Sequence, residues 1–173
     1  MSSVPVTSHT PVARPTPRGE EQPAGLSQTE TDVWIGLLET HKRLTRALNG
    51  ELEAAHGLGM GALELLARLA AAEDRVLRLS DLAERSGLSL SRVSRIVDAL
   101  EARGLVERRC CPEDRRARNA GLTAAGAELL ESAQATHSAG VQARFFAHVE
   151  PAELAALDAL FARLAPGAAQ SCT

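Results

Sequence analysis

The sequence predicts a mainly α-helical fold with one small β-hairpin, and three observations lead there. Apolar residues recur at helical spacing through most of residues 30–165. Two short helical segments meet at a tight turn containing Gly87, and the stretch after them reads as a strand, an exposed turn at Pro112 and a returning strand. The only aromatic residues are Trp34, Phe145, Phe146 and Phe161, so the core must come from Leu, Val and Ala, which suits packed helices better than a sheet.

The elements follow in order. Residues 1–28 hold five of the eight prolines and few large apolar side chains, and they read as a flexible tail. Val33, Trp34, Leu37, Leu38, Leu44, Leu48 and Leu52 form one stripe of a long helix over 30–55, with Glu30 and Asp32 at its dipole-favoured start. After the Gly57–Gly61 break, Leu63, Leu65, Leu66 and Leu69 mark a second helix over 60–72. Leu77-Arg78-Leu79 reads as a rung of sheet, and Ser80 as the N-cap of a short helix through Ser86 that Gly87 closes. Ser89 caps the next helix, Leu90 to Arg103, which Gly104 ends.

That pair, with Leu82, Ala83, Leu88, Val93, Ile96, Val97 and Leu100 as its apolar set, has the form of a helix-turn-helix. With strands over 105–109 and 117–122 behind it, it becomes a winged helix. Thr123 caps a long helix to about His148, and Pro151 opens a last one striped by Leu154, Leu157, Leu160, Phe161 and Leu164, closed by Pro166-Gly167. A minimal winged helix needs neither these last helices nor the first, so they are expected to pack against those of a second chain.

A chain of 173 residues suits one domain, given about 150 residues as a soft guide. The net charge of −3 conceals an asymmetry: from Arg85 to Arg118 nine arginines face five carboxylates, while the flanking stretches are net acidic. No run reaches the roughly 20 apolar residues that cross a bilayer, and the start lacks a secretory signal, so a cytoplasmic protein without a membrane role is expected. Cys110, Cys111 and Cys172 are a poor disulfide framework and the histidines lack ligand spacing, so no metal or cofactor is expected. A phosphate loop, a nucleophile elbow and a paired-carboxylate constellation are all absent, which argues against an enzyme.

The stretches LRLSDLAERSGLSLSRVSRIVDALEARGLVERR (Leu77–Arg109) and PEDRRARNAGLTAAGAELL (Pro112–Leu130) strongly resemble the MarR family of bacterial transcriptional regulators. The most telling parts are Leu100 to Val106, Asp114-Arg115-Arg116, and Leu122-Thr123 with Gly126. The resemblance implies a homodimer held by its terminal helices, residues 29–56 and 124–165, with winged helix-turn-helix heads over 57–123 on palindromic double-stranded DNA. It also implies a repressor released by a small ligand. Residues 166–173 would be a flexible end. One departure is Asn119-Ala120-Gly121, where a glycine is expected to weaken the returning strand.

In the helix over 90–103, burial of Val93, Ile96, Val97 and Leu100 leaves Ser91, Arg92, Ser94 and Arg95 outward, and arginine forks suit guanine O6 and N7 in the major groove. Ser89 would bring backbone N–H groups to a phosphate. Arg95 could instead pair with Asp98 on the surface. In the wing, the resemblance sends Arg116 into the minor groove with Asp114 as its brace, and makes Arg115 and Arg118 phosphate neighbours. Members of the family commonly bind aromatic carboxylate-like ligands between the terminal helices and the head; Trp34, His41, Glu64 and Arg95 could line such a crevice, although Trp34 on an apolar stripe reads first as core. Two alternatives stay open: a redox switch through Cys110 and Cys111, whose thiols nearby arginines would activate, and a winged-helix protein-interaction module without DNA binding.

Overall fold

A computed structural model describes residues 25–110 and 118–165. The chain divides into two units, residues 1–36 and 37–173, with the boundary inside the first helix. Among the described residues, six helices and three strands run in the order α1 (Gln28–His56), α2 (Met60–Ala70), β1 (Val76–Arg78), α3 (Leu79–Ser86), α4 (Leu90–Ala102), β2 (Val106–Cys110), β3 (Arg118–Leu122), α5 (Ala124–Arg144) and α6 (Pro151–Leu164). Short 3-10 turns over Glu73–Arg75 and Phe146–His148 link α2 to β1 and α5 to α6.

Local chemistry sets the helix ends. In the first unit, Ser27 and Glu30 close a reciprocal capping box: the Ser27 backbone N–H donates to Glu30 Oε2 at 2.8 Å and the Glu30 N–H to Ser27 Oγ at 3.3 Å. The two Ser27 hydrogen bonds, side chain and backbone, hold the Glu30 carboxyl below its ordinary pKa. Helix α2 has Gly59 in its cap position and so no local side-chain cap, and Asn49 of α1 takes that role by accepting from the Met60 N–H at 2.9 Å. Gly87 and Gly104 take left-handed φ of 64° and 71° as they end α3 and follow α4. Glu153 reaches back to the Glu150 N–H at 2.9 Å, ahead of Pro151.

The expected cap at Ser80 is corrected. Helix α3 begins two residues earlier, at Leu79, with Arg78 in the cap position and no side-chain cap bond; the Ser80 hydroxyl donates to Asp81 instead. Leu79 is buried, so the chain must turn as soon as β1 ends for that side chain to enter the core.

The core is the Leu, Val and Ala assembly that the composition requires. Leu52, Leu58, Leu65, Leu66, Leu69, Leu82, Val93, Val97, Leu100 and Val106 are almost wholly buried, and no aromatic residue joins them among the described residues. Ala83, Leu88 and Ile96 pack partly buried against this cluster. Trp34, read from the sequence first as core, is 54% exposed and is not core within a single chain. Helix α6 buries none of its residues, and its Phe161 and Leu164 remain exposed.

The sheet has the order β1-β3-β2, antiparallel throughout, with Leu77 opposite Ala120 and Arg108 opposite the same Ala120 from the other side. The returning strand is therefore the middle one, bonded along both edges, and Gly121 pairs with Val76 on one side and Glu107 on the other. The stem of Arg109 covers that glycine, with Nε 3.0 Å from where a Cβ would stand, so the missing side chain makes room for an arginine.

Candidate nucleic-acid interface

Helix α4 is held from both ends. At its start, Ser89 Oγ accepts from the Arg92 N–H at 3.4 Å, as expected of an N-cap, and lies 3.2 Å from Ser91 Oγ. At its end, Arg103 forks across to the last turn of α1, donating from Nη1 to the Gly57 carbonyl at 2.7 Å and from Nη2 to the His56 carbonyl at 2.9 Å. A cation at a helix C-terminus meets both unsatisfied carbonyls and the negative end of the dipole. Val93, Val97 and Leu100 anchor the inner face.

This leaves the outer face as helical periodicity predicts. Ser89, Ser91, Arg92 and Arg95 are exposed, and Ser94 is half-buried. The alternative of an Arg95–Asp98 pair is not found: Asp98 accepts from Arg108 instead, and neither Arg92 nor Arg95 has an ion-pair partner among the described residues. Leu90, in the first turn, is 54% exposed and was not singled out by sequence pattern. An apolar residue outside the core stripe is visible in a sequence only once the helix phase is fixed.

Beside α4 stands the β2–β3 hairpin. Arg118 opens β3, exposed, opposite Cys110. Asp114, Arg115, Arg116 and Cys111 lie outside the described residues. Arg108 and Arg109 point to opposite faces of β2. Arg109 pairs with Glu107 at 2.7 Å, while Arg108 turns to α4 and bonds both Asp98 and Glu101. The hydrogen bond that Arg108 donates to Asp98 is the leading reason that its pKa lies above even the ordinary value, so its charge is permanent.

A cleft of about 640 Å³ opens between the C-terminal half of α1, the start of α2 and the flank of α4. Asn49, Glu53, Arg92, Arg95, Ile96 and Arg103 are among its lining residues. Of the crevice residues expected from sequence, Arg95 is there. Within residues 37–173, His41 is exposed on α1 and Glu64 pairs with Arg68 at 3.4 Å, and neither lines the cleft.

The MarR family profile matches residues 56–117, from the end of α1 past β2 and up to the start of β3. Among solved structures, AbsC, a MarR family transcriptional regulator from Streptomyces coelicolor, is 34% identical, with a TM-score of 0.74 over 83% of this chain and 96% of its own. The chain belongs to the MarR family. Sco3205, another MarR family regulator from Streptomyces coelicolor, solved in complex with DNA, is 30% identical with a TM-score of 0.77 over 86% of this chain and 92% of its own. The transcriptional repressor YetL of Bacillus subtilis is 27% identical over 120 residues, 69% of this chain and 71% of YetL. The chain spans about half the length of two further Bacillus subtilis helix-turn-helix regulators that it matches at 33% identity. MarR proteins are transcriptional regulators and not enzymes, and the winged helix with its three-stranded sheet is the fold seen here. No helix among the described residues is long and apolar enough to cross a membrane.

Proposed function

We propose that this MarR protein is a sequence-specific double-stranded-DNA-binding repressor, acting in the cytoplasm as a homodimer on a palindromic operator. The observation that carries the reading is the pair Arg92 and Arg95, two exposed guanidinium groups on the N-terminal half of a capped helix, without an ion-pair partner among the described residues. Such a helix fits a major groove about 12 Å wide, where arginine forks distinguish guanine. Ser89 and Ser91 at the helix start suit a phosphate, and exposed Leu90 offers apolar surface to a thymine methyl. In this reading residues 57–123 form the head, with Asp114, Arg115, Arg116 and Arg118 of the wing on the adjacent minor groove and phosphates. Sco3205, solved on DNA, and YetL, a repressor, support it.

The dimer reading rests on apolar surface that one chain leaves uncovered. Trp34 and Leu37 on α1, and Phe161 and Leu164 on α6, are 54%, 49%, 48% and 68% exposed. Large apolar surface of this kind marks a protein contact. Two copies related by a two-fold axis would put their α4 helices about 10 base pairs apart.

The cleft supports release by a small ligand. Its volume is in the range of small-molecule sites, and Arg92 and Arg95 belong to its wall. An aromatic carboxylate seated there would draw on the guanidinium groups that read DNA. Selecting bound fragments from genomic DNA, followed by titration of the selected duplex with wild type and with Arg92→Ala and Arg95→Ala, tests the reading. Tight salt-sensitive binding that each substitution weakens supports it; equal binding by all three proteins rejects it.

A further inference from the structure

The hairpin is tied to the reading helix by one side chain. Arg108, in the middle of β2, reaches α4 and donates to Asp98 and, at 3.0 Å, to Glu101 Oε2. These carboxylates stand three residues apart and so share one face of the helix. The Arg108 side chain is 25% exposed, against 49% for its neighbour Arg109, and Nη1 is buried without a partner among the described residues. Such a triad is a poor device for stability, because both carboxylates are exposed and solvent screens most of the attraction. Its geometry supplies direction: a planar fork held at two points fixes orientation in a way a single contact cannot.

A second consequence concerns charge. Helix α4 carries Arg92 and Arg95 against Asp98 and Glu101, so its formal side-chain charges cancel. Two carboxylates on an element that approaches phosphate oppose binding unless they are occupied, and Arg108 occupies both.

We propose that Arg108 is a positioning residue for DNA binding, setting the angle at which the β2–β3 hairpin leaves α4 so that both engage one duplex. The inference rests on the DNA-binding reading above and adds to it a residue that does not itself face DNA.

The test uses the full chain on its selected duplex, with hydroxyl-radical footprinting beside affinity. Arg108→Gln is expected to weaken binding about tenfold, to lose protection at the flanks that the hairpin covers, and to keep protection over the half-site that α4 covers. In free protein, amides of β2 should exchange faster while those of α4 stay unchanged. Adding Asp98→Asn and Glu101→Gln to Arg108→Gln removes the carboxylates without rebuilding the fork, and flank protection should remain lost. Full restoration in that triple variant would show that Arg108 only masks charge, and would overturn the proposal. So would an unchanged footprint for Arg108→Gln while wild type binds. Failure of wild type to bind any duplex would bring down the DNA-binding reading and this inference with it. If Arg108→Gln does not fold, Arg108→Lys decides: it keeps the charge but not the fork, so lost flank protection supports the proposal and full protection overturns it.

Discussion

A Cβ placed on Gly126 would fall onto the carbonyl oxygen of Leu105. That carbonyl already accepts from the Thr123 backbone N–H at 3.2 Å and from its hydroxyl at 3.0 Å, while Gly126 donates its own N–H to Thr123 Oγ1 at 3.0 Å. The first turn of α5 thus sits directly on the residue that leads into β2, with no space for a side chain between them. Gly126→Ala should destabilise the protein by about 3 kcal/mol, since the obstacle is backbone that cannot rotate away. Chemical denaturation of wild type and variant measures this, and a loss well under about 1 kcal/mol would contradict the packing described.

The turn between α2 and β1 contains two consecutive non-glycine residues at positive φ, Asp74 at 54° and Arg75 at 55°. Aspartate tolerates this region better than arginine, whose Cβ meets the following carbonyl. Arg75→Gly is expected to be neutral or to stabilise by up to about 1 kcal/mol, against the usual cost of adding a glycine. Thermal or urea unfolding would settle the sign.

Affinity for DNA should fall as a power of the salt concentration, because cations on the protein displace condensed counterions. Arg92→Ala and Arg95→Ala should each reduce the log-log slope by about 0.9 if the side chain neutralises one phosphate, and should relax sequence preference by about 1–3 kcal/mol if it reads a base. Fluorescence anisotropy across a salt series separates these outcomes. An Arg95→Ala protein with the same slope and the same base preference would remove Arg95 from the interface.

The start of α1 should respond to acid. The Glu30 carboxyl has its pKa lowered by the Ser27 hydroxyl and backbone N–H, so its contribution is complete above the unfolded glutamate value and disappears as pH falls through the lower, folded value. Amide exchange of the first turn, followed by NMR during an acid titration, should quicken in that window. In Glu30→Gln the acid-dependent step should vanish.

The parts of this fold that are legible in the sequence are those governed by residues close along the chain. Ser89 and Thr123 cap the helices they precede, Gly87 and Gly104 take positive φ, and the outward set of α4 follows from one helical phase. What escaped is made by partners far apart in sequence: Asn49 capping α2, Arg103 reaching the end of α1, and Arg108 bonding two carboxylates of the preceding helix. A charge pattern announces that arginines are present without saying which are spoken for. Of the arginines between Arg85 and Arg118, the sequence could not separate Arg103 and Arg108, committed to the protein's own groups, from Arg92 and Arg95. Ser80 failed as a cap for a related reason, because burial of Leu79 outweighed a capping bond worth about 1 kcal/mol.

The fork of Arg103 grips only main-chain oxygens, those of His56 and Gly57. Every residue type supplies a carbonyl, so the joint asks nothing of the His56 side chain, whereas Gly57, at a φ of 62°, is held to glycine by its backbone. The hydrogen-bonding side of the joint is therefore carried by Arg103 alone, whose planar fork meets the two oxygens in a fixed orientation that the freely rotating point charge of a lysine would not hold.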